Sequence, residues 1–90
     1  AANDPNAAGE HHLIQKELAS AIWRMTFEHT SNQASVARSG AIPLLISLID
    51  DHEDIHRDAA GALWSLASDA DNREQIAKAG GIPELIKLLQ

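Results

Sequence analysis

Ninety residues with 44% apolar content can form one small domain, in a size range where a single core is barely sufficient. The formal charge of −6 argues against nucleic acid and anionic membrane as partners, since both need a cationic face, and leans toward a basic or mixed protein segment. Without cysteine there is no disulfide frame, thiolate metal site or cysteine nucleophile, and the longest apolar run, Leu44–Ile46, is far too short to span a bilayer.

Residues 1–9 (AANDPNAAG) carry no apolar period and read as a frayed leader without the features of a signal peptide. From Glu10 to Phe27 apolar residues recur at Ile14, Leu18, Ala21, Ile22 and Met25, which predicts a long helix. After a polar break, a short helix is expected over 32–39, closed by Gly40 in a left-handed conformation. Pro43 suits the first turn of a second helix running to Ile49. The acidic run 50–54 opens a third helix to Ser68, with Asp51 as its expected N-cap. Asn72 to Ala79, Gly80 and Pro83 then repeat the short helix, glycine and proline helix.

The repetition is detailed. SNQASVARSGAIPLLISLI (31–49) aligns without a gap on DNREQIAKAGGIPELIKLL (71–89), with identities at Asn32/Asn72, Ala37/Ala77, Gly40/Gly80, Ile42/Ile82, Pro43/Pro83, Leu45/Leu85, Ile46/Ile86 and Leu48/Leu88. The long helices correspond at an offset of forty-one, through Ile14/Ile55, Glu17/Asp58 and Trp23/Trp64, so one residue slips between Trp23 and Asn32. A period near forty is the signature of a solenoid, whose units bury their apolar faces only against their neighbours. The runs 22–49 and 59–89 resemble armadillo repeats, in the glycine followed by Ile-Pro and x-Leu-Ile-x-Leu and in the long-helix pattern, with a style nearer β-catenin and plant armadillo proteins than importin-α. The resemblance implies an all-α, right-handed α-solenoid with three helices per repeat. On that plan 10–28 is the third helix of a preceding repeat, 32–68 a complete repeat and 72–90 the first two helices of a following one. It also implies a protein-interaction role in the cytoplasm or nucleus.

On the long helices, Trp23 and Trp64 point about 160° and 155° away from their apolar stripes at about 100° per residue. Two readings stay open for them: anchors for a partner, or sideways packing against the next long helix. In armadillo proteins the third helices line a concave groove with a ladder of asparagines. The ladder positions here are Arg24 and Ser65, and the importin-like tryptophan positions are Ser20 and Gly61, so a regular clamp on peptide backbone is not expected. Glu17 and Asp58 share the broad face and could meet Lys or Arg of a partner, or remain solvated. The expected function is therefore capture of an extended peptide or partner segment through Glu17, Ser20, Trp23, Arg24, Asp58, Gly61, Trp64 and Ser65.

A second reading is self-association. Leu85, Ile86, Leu88 and Leu89 are as apolar as their internal counterparts, nothing resembles a polar cap, and the chain reads as an excised or engineered piece of an array. No cofactor is expected. His52 and His56 have a spacing that could share a metal ion, but no third ligand at a diagnostic spacing accompanies them. No serine, histidine or carboxylate set converges as catalysis requires, so an enzyme is not expected.

Overall fold

A computed structural model describes residues 5–51 and 53–90, with side chains from Glu10 onward except at positions 50 and 51. Six α-helices follow one another: α1 (Pro5–Thr26), α2 (Thr30–Arg38), α3 (Ala41–Asp51), α4 (His56–Leu66), α5 (Ala70–Lys78) and α6 (Gly81–Lys87), with a 3₁₀ turn at Glu53–Ile55 before α4. The described residues contain no strand, and the fold is an all-α solenoid.

Local chemistry explains most boundaries. The N–H of Asn32 donates to His29 Nδ1 at 3.2 Å and that of Asn72 to Asp69 Oδ1 at 3.0 Å. Each cap satisfies the third amide of its helix. The two short helices therefore start two residues earlier than the sequence pattern suggests, because Asn32 and Asn72 lie inside the first turn. Gly40 and Gly80 close them with φ of 88° and 83°, as expected for glycine at a helix end. Pro43 and Pro83 sit third in α3 and α6, where an amide has no helical partner to lose. The one-residue slip is absorbed after α1, where Glu28 adopts φ 54°.

Three expectations are corrected. The first helix starts at Pro5 rather than Glu10, proline being well suited to a first helical position. The acidic run does not open one continuous long helix. Instead α3 continues through Asp51, a 3₁₀ turn follows, and α4 begins at His56. Asp51 is thus the last residue of α3, and the N-cap position of α4 is Ile55, which makes no side-chain cap; Glu53 and Asp54 in the 3₁₀ turn supply the negative charge ahead of α4.

The core belongs to α3 and α4. Ile42, Leu45, Ile46 and Ile49 interleave with Ile55, Ala59, Ala62, Leu63 and Leu66, all buried, and Ala19, Ala37 and Ile76 close the edges. Each large aliphatic side chain buried this way is worth roughly 1.5–3 kcal/mol. On the equivalent stripe of α1, Ile14, Leu18 and Met25 are exposed, because α1 has no helix pair against that face among the described residues.

Among the described residues four polar side chains are also buried: Thr26, Gln33, Ser65 and Asn72. Gln33 Nε2 donates to the Thr26 carbonyl at 2.9 Å, and Asn72 Nδ2 donates to the carbonyls of both Gln33 and Leu66 at 3.0 Å. Asn72 thereby ties α5 to α2 and to the end of α4. Its counterpart Asn32 reaches only the Met25 carbonyl, at 2.8 Å on the surface. Asn72→Ala strands two buried acceptors and should cost about 1–3 kcal/mol in urea unfolding, whereas Asn32→Ala should cost less than about 1 kcal/mol. Equal losses for the two variants would contradict the network.

Candidate interaction surface

The two long helices α1 and α4 lie side by side, and their seam determines what the broad face can present. At its middle the Trp23 ring covers Gly61 so closely that even a methyl group there would collide with ring carbons. Toward the start of α1, Lys16 Nζ donates to Asp58 Oδ2 at 2.5 Å, and His12 Nε2 lies 2.6 Å from Asp54 Oδ2. The hydrogen bond to Asp58 holds the Lys16 ammonium above its ordinary pKa of 10.5, with the charges of Asp58, Asp54 and Glu17 adding to it against partial desolvation. Toward the end of α1, the hydroxyls of Thr26 and Ser65 are hydrogen-bonded at 2.8 Å, and Thr26 Oγ1 also donates to the Ile22 carbonyl at 2.7 Å.

A groove of about 690 Å³ follows this seam, lined by Ser20, Trp23, Arg24, Phe27, Arg57, Asp58 and Trp64. Its far wall is aromatic: the rings of Phe27 and Trp64 stack with centroids 5.8 Å apart and an interplanar angle of 32°. The stack leaves Trp64 62% exposed. Arg24 and Arg57 are exposed cations on the same groove. Asp58 is half-buried and engaged by Lys16.

Of the residues singled out from sequence, Ser20, Trp23, Arg24, Asp58 and Trp64 converge on this groove. Glu17 is exposed on α1 outside its lining. Gly61 and Ser65 are buried in the seam, one beneath Trp23 and the other against Thr26. Leu85 and Leu88 are half-buried and Ile86 and Leu89 exposed, and none of the four lines the groove. Phe27 and Arg57 were missed. Phe27 has no aromatic counterpart one repeat on, and Arg57 sits beside the acid that drew attention.

Trp23 packs sideways on the next long helix, over Gly61, and Trp64 is exposed beside Phe27. Among the described residues no group of three or more His, Asp or Glu could hold a metal ion, and His52 of the considered pair lies outside them. No helix among them is long and apolar enough to cross a membrane.

Helices stacked in a repeating short, medium and long order, with a groove along the long ones, define an α-solenoid protein. Residues 29–68, which span α2 to α4, match the family model described as armadillo/beta-catenin-like repeat. The chain belongs to the armadillo-repeat family. It is 33% identical over 81 residues to human catenin delta-2, an alignment covering 86% of this chain and 7% of that protein. It is 32% identical over 80 residues to rat splicing regulator ARVCF, with 86% of this chain and 8% of the relative covered. Protein ARABIDILLO 2 of Arabidopsis thaliana is 44% identical over 57 residues, covering 61% of this chain and 6% of that protein. The chain thus spans less than a tenth of the length of these relatives. No solved structure matches it.

Gly61→Ala tests the seam. Alanine should favour the helix by about 1 kcal/mol, but its methyl displaces the Trp23 ring, and overpacking costs roughly 1–3 kcal/mol. A lower urea midpoint with red-shifted Trp23 emission is expected; a raised midpoint would show that the ring does not rest on that glycine.

Proposed function

We propose that this chain is a protein-interaction module that holds an extended segment of a partner along the groove between α1 and α4. The observation that carries the reading is the exposed Phe27–Trp64 stack bordered by Arg24 and Arg57. A rigid aromatic wall beside solvent offers apolar area at little entropic cost, the usual make-up of a binding hot spot. Guanidinium groups can grip a carboxylate through two parallel hydrogen bonds.

The net charge of −6 leans toward a basic partner, but the groove does not share that balance. Its one carboxylate, Asp58, is already paired with Lys16, while two arginines border it. The segment that fits is mixed: an apolar or aromatic side chain against Trp64 and a carboxylate within reach of Arg24 or Arg57. Glu17, outside the groove, can add a contact to a basic residue that overhangs α1. The membership in a family that includes catenins supports an interaction role inside the cell, in cytoplasm or nucleus.

The test is a random dodecamer peptide library panned on the protein. Selected peptides should pair an apolar with an acidic residue, and should lose about tenfold or more in affinity, roughly 1.4 kcal/mol, for Trp64→Ala and for Arg24→Glu. Glu74→Lys, on the exposed face of α5, should bind them as the parent does. Peptides that bind all three variants equally would place the site elsewhere.

A further inference from the structure

Arg24 and Arg57 are unengaged cations in an acid-rich chain. The sequence holds 7 Lys and Arg against 13 Asp and Glu. Both of these arginines nevertheless line one groove, and neither has an ion-pair or hydrogen-bond partner among the described residues. Arg73 shows the contrast: it is exposed but held, its Nη1 donating to the Ala67 carbonyl at 2.8 Å. Asp58, the carboxylate of the groove, is neutralised by Lys16 across the seam. Counting Arg24, Arg57 and Lys16 against Asp58 leaves two uncompensated positive charges, in a chain whose net charge is −6. Glu17 and Glu28, which flank the α1 side in sequence, are outside the lining.

The two cations stand on one side of the aromatic wall. Lys16 and Thr26 of α1 meet Asp58 and Ser65 of α4 in the same order, so the two helices run parallel. Arg24 precedes Phe27 by about one helical turn, roughly 5 Å along the axis. Arg57 precedes Trp64 by about two turns, roughly 10 Å. Going along the groove, a segment therefore meets Arg57, then Arg24, then the Phe27–Trp64 stack.

We propose, on the reading of this groove as a peptide site, that the residue it selects in the partner is a phosphorylated tyrosine. The ring lies on the Phe27–Trp64 wall and the phosphate points back toward Arg24 and Arg57. One side chain then supplies both the aromatic face and the anion, whereas an acidic residue beside a separate apolar one orders two side chains for the same contacts. A phosphate carries about −1.5 to −2 charge at pH 7 with three acceptor oxygens, which matches two guanidinium groups that each present paired donors. Phosphoserine has that charge but leaves the wall empty. A longer acidic segment is repelled by the net charge of −6, while a single dianion puts its charge only where the arginines are.

Peptide pools with degenerate flanks around one fixed residue provide the test, that residue being phosphotyrosine, tyrosine, phosphoserine or glutamate. In fluorescence anisotropy titrations the phosphotyrosine pool should bind about tenfold or more tightly than each of the others. Trp64→Ala should weaken the phosphotyrosine and tyrosine pools alike. Arg24→Gln and Arg57→Gln should weaken the phosphotyrosine pool several-fold more than the tyrosine pool, and together should erase its lead. Both arginines are exposed and unengaged, so these variants should unfold at the parent's urea midpoint. A tyrosine or glutamate pool that binds as tightly as phosphotyrosine, while Trp64→Ala still weakens it, would overturn the inference and leave the groove reading standing. A phosphoserine pool that matches phosphotyrosine would overturn it as well, because the wall would then add nothing. Pools whose binding none of the three substitutions changes would overturn both.

Discussion

The contact between the Trp23 ring and Gly61 sets the spacing on which the rest of this structure depends. α1 meets the body of the protein mainly through α4, and a glycine there lets the two helices approach with a flat ring between them. Once that distance is set, Lys16 reaches Asp58, and the Thr26 and Ser65 hydroxyls meet in the buried seam. The groove above the seam is a consequence. Trp23 lines it, and its aromatic wall arises because Phe27, just beyond the end of α1, stacks on Trp64.

A repeat lets one residue type serve two purposes at two positions. Trp23 and Trp64 occupy equivalent places, yet one is a spacer between helices and the other an exposed surface, because among the described residues Trp23 has a glycine-bearing long helix against it and Trp64 does not. The asparagines divide in the same way. Asn32 and Asn72 make the same bond back to the end of the preceding long helix, but only Asn72 also reaches a neighbouring unit, through the Gln33 carbonyl. Position in the stack, more than residue identity, decides which member of each pair is structural.

The solenoid was legible in the sequence because repeat identity exposes it directly. Gly40, Gly80, Pro43 and Pro83 mark helix ends through backbone geometry that few other residues supply as well, and they appear twice. What helical arithmetic could not supply is depth. The family resemblance implies the broad face for Ser65 and Gly61, but whether they lie above or within the seam depends on how closely α1 approaches. The acidic run misled because acids suit the start of a helix, yet α3 extends into it as far as Asp51. His29 was passed over as a cap, since histidine is an uncommon choice there and its ring nitrogen had to do the work of a carboxylate. Arg57 was overlooked beside Asp58, although its charge alters what the groove can hold.

The central claim is that equivalent tryptophans have unequal roles, and acrylamide quenching of single-tryptophan variants measures it most directly. In dilute solution Trp23→Phe leaves Trp64, which should emit toward the red and quench readily. Trp64→Phe leaves Trp23, which should emit toward the blue and resist quenching. Similar emission and quenching in both variants would contradict the account, because Trp23 would then not be seated on Gly61.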